Sequence, residues 1–506
     1  MKITPSLVAL SLLSALFISV GCWTWTVTHA FVVPDQWWSW LWFGLLHTFS
    51  DSHLRPVALW SLLKGFAPVF ALLYVVNALD DSDRNGRVIR GARIVSADAL
   101  TRKTRAKPAQ QQIEIAGVPM PLDCEPNHLL LAGSTSTGKT TAADELLRCA
   151  LARGDRVIII DPNGHALARF AAKGDTVLNP FDQRAPGWSI FNELRKPYDV
   201  ERFAKSVVPD SSDASAQQWH GYAQQLFAET ARMLTQSGET STERLLYWLT
   251  QAPAGELKAL LAGSAAGGLF EPGAEKALAS TRFILSHHVG AFQYLQPGDF
   301  SLRTWLEQGQ GNLFITWRED MLATLRPLVS TWADILIASI LTLSDEQPRP
   351  LWLVLDELAS LERLSSLEAG LTKGRKHGLR VVAGLQSVSQ LDALYGTHNA
   401  KTLRSNFRNL LALGCSNADP HTAKEISDGL GQSEVERTQI SDSNGKSGHT
   451  RSTTRHRTPE IAVLPSELMT LAPLRGYLKF AGDYPIGQIR LVPQDQPARH
   501  APFKER

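Results

Sequence analysis

Short, almost unbroken apolar runs recur through the chain, and their spacing sets its plan. They cover residues 129–132, 156–161, 312–317, 351–355, 379–385 and 409–414. Each is four to seven residues long and lacks the in–out alternation of a half-buried strand, so each predicts a strand buried on both faces. Apolar positions at helical spacing fill most of the intervals. Strands alternating with helices in this way predict an α/β domain, a parallel sheet covered by helices on both sides. Residues 476–483 add a candidate edge strand. Residues 112–115 and the turn Val118-Pro119-Met120-Pro121 lead into the first run.

One interval breaks the alternation. Residues 197–300 contain no convincing strand, whereas Trp219, Tyr222, Ala223, Leu226, Phe227, Thr230, Met233 and Leu234 recur at helical spacing. Helical patterns continue at 242–250 and 275–287, so an all-helical domain is inserted between sheet strands. Trp219 reads as core in this stripe rather than as a platform for a base. His287-His288 does not read as a metal pair, because adjacent residues do not share a helix face. Further on, 434–440 and 450–457 flank Ser441-Asp442-Ser443-Asn444-Gly445-Lys446-Ser447-Gly448, which predicts a long exposed hairpin or a disordered loop. The residues from Pro493 onward read as a solvated tail.

The N-terminal pattern is different. Residues 7–27 carry no charge, and as a helix they span about 31 Å, the thickness of a bilayer's hydrocarbon core. Residues 57–79 carry a single charge, Lys64, read as snorkelling or packing rather than as a transport group. Between these spans, Trp37-Trp38-Ser39-Trp40-Leu41-Trp42 suits a membrane–water interface. Arg84, Arg87, Arg90, Arg93, Arg102, Lys103, Arg105 and Lys107 follow the second span, while the loop between the spans has only Arg55. The positive-inside rule then places both ends in the cytoplasm. A cleaved signal peptide is the rival reading of the first span. Its apolar region is long for that, and the cleavage site near Ala30 is poor.

Composition narrows the partners. At 506 residues the chain holds two or three domains, and a net charge of +2 makes any nucleic-acid surface a local one. Cys22, Cys124, Cys149 and Cys415 are scattered with no C-x-x-C pair, which argues against zinc and against a disulfide framework and fits a reducing compartment.

The chemistry begins where the first run ends. Gly133-Ser134-Thr135-Ser136-Thr137-Gly138-Lys139-Thr140 fits G-x-x-x-x-G-K-[ST] and opens a helix at Thr141. The glycines let successive N–H groups converge on phosphate, at the positive end of the helix. Lys139 would reach the β- and γ-phosphates of ATP, and the Thr140 hydroxyl would ligate Mg²⁺. Leu351-Trp352-Leu353-Val354-Leu355-Asp356-Glu357 is an apolar strand ending in two carboxylates. Asp356 would hold Mg²⁺ through water, and Glu357 would polarise the water that attacks ATP. Gln386 ends the following strand and is a candidate γ-phosphate sensor. Arg375, between Gly374 and Gly378, is a candidate arginine finger acting on a neighbouring subunit, with Arg326 as a competitor.

These motifs in this order resemble the conjugative coupling proteins of type IV secretion systems, the TraD/TraG/TrwB-like group, and most of all its TrwB-like branch. The resemblance rests on the two N-terminal spans, the P-loop, Leu178-Asn179-Pro180-Phe181-Asp182, Leu355-Asp356-Glu357-Leu358-Ala359-Ser360-Leu361 and Gly374-Arg375-Lys376-His377-Gly378-Leu379. Gln386-Ser387 with Gln390-Leu391, and Tyr395-Gly396, extend it. It implies a RecA-like nucleotide-binding domain, in two parts at 81–180 and 301–490. A membrane region at 1–80, an all-α insertion at 181–300 and a flexible tail at 491–506 complete the expected plan. It further implies a homo-hexameric inner-membrane ATPase that links the relaxase–DNA complex (the relaxosome) to the inner-membrane components of the secretion channel. Such a protein would carry single-stranded DNA. The long acidic C-terminal extension of some relatives is not in this sequence. Two alternatives are a double-stranded DNA translocase of the FtsK type, which usually carries more spans and a winged-helix module, and a nucleotide-gated scaffold that recruits substrate without moving it.

Overall fold

Apolar on both faces, the six runs lie side by side in the interior of a ten-stranded sheet. A computed structural model describes residues 5–30, 37–85, 87–108, 110–346, 348–445, 448–494 and 496–506. Across the sheet the strands run Ile94–Ser96, Ile486–Arg490, Arg475–Lys479, Asn409–Ala412, Leu129–Ala132, Leu379–Leu385, Leu351–Leu355, Arg156–Pro162, Leu313–Trp317 and Thr176–Leu178. From Asn409–Ala412 to Thr176–Leu178 every pairing is parallel. The strand expected at 476–483 is Arg475–Lys479, and it is not an edge. It pairs antiparallel with Asn409–Ala412 on one side and with Ile486–Arg490 on the other.

Two cores cover the sheet. On one face, Leu131, Ile159, Val354 and Val382 pack with Ala143, Leu146 and Leu147 of the helix Lys139–Arg153. On the other, Leu130, Ile158, Leu353 and Ala383 share a core with the inserted helices and with Leu322–Ile340. The insertion therefore does not stand apart as its own compact body. Ser206 of the helix Asp199–Val207 donates to buried Asp334 of Leu322–Ile340 at 2.6 Å, and Ser366 adds its N–H to the same carboxylate. Leu322–Ile340 is so apolar on all sides that Glu319–Ile340 passes for a membrane span by length and composition, yet it lies in this core. In the helix Ala214–Ser237 the stripe Ala223, Leu226, Phe227, Thr230 and Leu234 is buried as expected. Trp219 is only half-buried, its ring edge-on to Tyr222, because it precedes the part of the helix that the core covers.

The residues read as a solvated tail are held down. Arg499 N–H donates to the Ala168 carbonyl, Lys504 N–H to Asp182 Oδ2, and Arg506 N–H to the Phe181 carbonyl. Buried Asp182 explains the docking, since its carboxylate needs donors and the terminal strap supplies one.

These strands and helices belong to one compact unit, Ala92–Gln432 with Ile461–Arg506; the other is Met1–Gly91 with Ser433–Glu460. In the latter, the helices Pro5–Ala30 and Leu54–Asn85 pack through small residues. A Cβ on Gly65 would stand 2.1 Å from Ser19 Oγ, and Ser19 donates back to the Ala15 carbonyl. Ser11–Ala30 is long and apolar enough to cross a membrane. The stretch 57–79 is helical throughout, with its side chains beyond Leu72 outside the described residues. Lys64 is exposed, as are Phe17, Trp42, Leu63 and Phe70. The expected hairpin forms from Gln432–Gly445 and Gly448–Ile461, and Arg87–Gly91 adds a third strand. Its tip, 446–447, lies outside the described residues.

Candidate active site

All the sequence-predicted groups but Arg375 and Arg326 come from the C-terminal ends of neighbouring parallel strands, the loops that follow them or the first turn of the next helix. Strand Leu129–Ala132 delivers the glycine loop. Its Ser136 (φ 60°) and Gly138 (φ 117°) are left-handed, which turns the loop back on itself before the helix Lys139–Arg153 begins. Gly133 is enforced by packing, because a Cβ there would stand 2.8 Å from Leu413 Cβ and Thr137 Oγ1. The loop is braced from outside: Gly133 N–H donates to the Leu385 carbonyl and Ser134 N–H to the Gly414 carbonyl. Thr137 Oγ1 donates to the Ser134 carbonyl, while Thr135, Ser136 and Thr140 are exposed and Thr141 half-buried.

Lys139 is buried, its ammonium donating to the Gly133 carbonyl at 2.8 Å and the Ser134 carbonyl at 3.0 Å. Burial lowers its pKa, opposed by the charges of Glu357 and Asp356. One strand, Leu379–Leu385, separates the glycine-loop strand from the strand that ends at Asp356. Gly384 makes that spacing possible, since a Cβ there would stand 1.8 Å from the Asp356 carbonyl oxygen. Gln386, at the end of the intervening strand, donates through Nε2 to Glu357 Oε2. Burial raises the pKa of Asp356 above the usual carboxylate range, with Lys139, His165 and the Thr140 hydroxyl pulling it back. Burial raises Glu357 as well, against the pull of Lys139 and Gln386. The Thr140 hydroxyl and the Asp356 carboxylate are hard oxygen donors in mutual contact, a set that suits Mg²⁺.

Arg375 is placed elsewhere. It is exposed on the turn Gly374–His377, before the N-terminal end of the strand whose C-terminal end carries Gln386. Arg326 is committed to its own chain, donating to the carbonyls of Leu361 at 2.7 Å and Ala359 at 3.3 Å.

Sequence reasoning missed several supporting groups. Asp161, at the end of the next strand, is buried, caps the helix His165–Phe170 through Leu167 N–H at 2.7 Å, and is pushed up to about 7, chiefly by burial. Its position was the available signal, because ligand sites of parallel sheets gather at strand C-terminal ends. Thr140, Thr141, Asp144, His165, Arg169 and the strap residue Gln494 line a cavity of about 180 Å³ beside the loop. His128, at φ 54°, accepts from Val381 N–H and faces the Leu371 carbonyl, locking the glycine-loop strand to its neighbour. Burial lowers its pKa to about 4, so it is a neutral structural group.

A glycine loop, an Asp-Glu strand end one strand away and a polar group between them define a P-loop nucleotide-binding protein of RecA-like fold. Residues 112–492 match the family described as the type IV secretion-system coupling protein DNA-binding domain, and the chain belongs to that family. It is 29% identical to coupling protein TraD of Escherichia coli K12 over 401 residues, 76% of this chain but 55% of that protein. The chain thus spans about half the length of that relative. Conjugal transfer protein TraG of Agrobacterium fabrum is 32% identical over 116 residues, 23% of this chain and 18% of that one. Among solved structures, the bacterial conjugative coupling protein TrwB in its unbound form is 47% identical, with a TM-score of 0.78 over 83% of this chain and 96% of that chain. TrwB in complex with ADP and Mg²⁺ is 47% identical, with a TM-score of 0.77 over 83% of this chain and 98% of that chain.

Proposed function

We propose that the chain is a membrane-anchored coupling ATPase of a bacterial conjugation or type IV secretion system. It would link a relaxase–DNA complex to the channel and drive or gate single-stranded DNA transfer by hydrolysing ATP. The observation that carries this reading is the convergence of Lys139, Asp356, Glu357 and Gln386 on the mouth of the glycine loop in a chain of this family.

With the Gly133 and Ser134 N–H groups held by the Leu385 and Gly414 carbonyls, the N–H groups of residues 135–141 would bind the phosphates, and Lys139 would leave its carbonyl partners to meet the β- and γ-oxygens. Thr140 and Asp356 would hold Mg²⁺, which would supply charge neutralisation at the phosphate oxygens. Glu357 takes the proton of the attacking water, and its raised pKa suits it to that transfer. Gln386 holds the Glu357 carboxylate in place and reports the γ-phosphate to its own strand. Arg375 lies too far from the loop of its own chain to serve it, so as a finger it would act on a neighbour in a homo-hexamer. The helices Pro5–Ala30 and Leu54–Asn85 would cross the inner membrane, leaving both ends in the cytoplasm.

The test is the ATPase rate of the detergent-solubilised chain with and without single-stranded DNA. Stimulation by single strands beyond that by duplex supports the reading. A Lys139→Ala protein that hydrolyses ATP normally, or indifference to DNA, refutes it.

A further inference from the structure

Away from the glycine loop, one carboxylate gathers two imidazoles. His287 Nε2 stands 3.2 Å from Glu362 Oε1, and His288 Nδ1 stands 3.1 Å from Glu362 Oε2. All three ligating atoms lie within 4.8 Å of one another. The two histidines are neighbours on the helix Glu275–Val289 and so point about 100° apart. They converge because His287 uses its far nitrogen and His288 its near one.

We propose that His287, His288 and Glu362 form a binding site for a transition-metal dication of the Zn²⁺ class. Imidazole nitrogen and carboxylate oxygen are its usual ligands; two ligands of one tetrahedral ion stand about 3.3 Å apart, close to the 3.2 and 3.1 Å at which each histidine meets its own oxygen of Glu362. A plain ion-pair reading fits less well. Charging both imidazoles would set two cations with rings 4.9 Å apart, and as neutral N–H donors only His287 is aligned for a hydrogen bond to the carboxylate. His288 is 5% exposed, and its Nδ1 faces Glu362 at contact distance without the alignment a hydrogen bond needs. One dication supplies the same charge at a single point.

The site lies on the wall of a cavity of about 560 Å³, which gives an entry path and room for water. His220 shares that wall, its ring 5.8 Å from that of His288. Its Nδ1 is 2.7 Å from the Pro209 carbonyl, which fixes the proton there and leaves Nε2 as a further donor atom. Arg326 lines the cavity too, but its guanidinium is tied to the Ala359 and Leu361 carbonyls. A metal here would join the inserted helix to the segment leaving Glu357, since Glu362 follows the short turn Leu358–Ser360 and donates its N–H to Ser330 at 2.8 Å.

The test uses the full chain in detergent, stripped with chelator and free of nucleotide. Co²⁺ is titrated by visible absorption and Zn²⁺ by calorimetry. One equivalent should bind, with the intense absorption of a four-coordinate N/O site. His287→Gln, at a side chain 63% exposed and so harmless to folding, should weaken binding at least about 100-fold, beyond the loss expected for a merely supporting partner. Glu362→Gln should do the same, and His398→Gln, at an exposed histidine outside the cluster, should not. No uptake, or equal uptake by His287→Gln and Glu362→Gln, overturns the proposal, the metal then being adventitious among the chain's 14 histidines.

Discussion

Glu357→Gln separates chemistry from binding. The amide keeps the side chain's length and one acceptor oxygen, so the contact with Gln386 survives. What is lost is a base for the proton of water. General-base catalysis contributes about 10²–10⁴ in rate, or about 3–5 kcal/mol of barrier, and turnover should fall by that much. Binding should move the other way. Glu357 repels the γ-phosphate, and at about 5 Å with an effective dielectric of about 20 a unit pair of like charges costs about 3 kcal/mol before Lys139 and Mg²⁺ offset it. ATP affinity should therefore hold or tighten. The assay pairs steady-state phosphate release with equilibrium binding of a fluorescent ATP analogue. The pH profile adds a check: the raised pKa of Glu357 puts an acid limb on wild-type activity above the usual range for a glutamate, and the variant should lack that limb. Turnover within about threefold of wild type, or a matching loss of affinity, would refute the water-activating role.

Gly384→Ala should abolish turnover without removing any polar group, because its Cβ would stand 1.8 Å from the Asp356 carbonyl and push the carboxylate strand away; ATPase assays beside circular dichroism check this. Asp161 has a folded pKa near 7 against an ordinary value of 3.8. The native state thus binds the extra proton between those values, and stability falls as pH rises through that window, by up to about 1.4 kcal/mol per pH unit. Asp161→Asn should flatten that slope in thermal melts, and an unchanged slope would reject the assignment. Cysteines introduced at Asp51 and Ser82 in a Cys22→Ser background should differ in access: a periplasmic thiol reagent should label the first only, and labelling at Ser82 would reject the two-span topology.

What could be read from the sequence follows from burial on both faces. Strands such as Leu351–Leu355 and Leu379–Leu385 are apolar at every position or nearly so, and the boundaries read for them match those in the structure. Thr176–Leu178 escaped, since three residues leave no pattern to count. Ile94–Ser96 and Arg87–Gly91 escaped because their partners lie hundreds of residues away, at Ile486–Arg490 and Gln432–Gly445. Leu322–Ile340 shows the limit of composition, which cannot tell a core helix from a membrane helix. The site splits the same way. Lys139, Asp356 and Glu357 announce themselves by motif, whereas Gly384 matters only because another backbone passes within reach. Helical periodicity keeps His287 and His288 off one face, but it describes one helix alone and cannot show that Glu362, from another segment, stands within 3.2 Å of both rings.

Strand polarity also decides how Arg375 could work. The strand Leu379–Leu385 runs parallel to the glycine-loop strand, with Leu385 level with Ala132. Seven residues of strand cover about 23 Å, and Arg375 precedes the far end by a further turn. No arginine side chain crosses that distance, so within one chain Arg375 and Lys139 cannot touch the same phosphate. Any phosphate that Arg375 meets comes from outside its own subunit, either the nucleotide of a neighbour or the backbone of DNA. The two differ in what a subunit-mixing experiment returns. In the first case, Arg375→Ala and Lys139→Ala chains co-assemble with some interfaces restored and ATPase activity reappears. In the second, each defect stays with its own subunit and mixing recovers nothing.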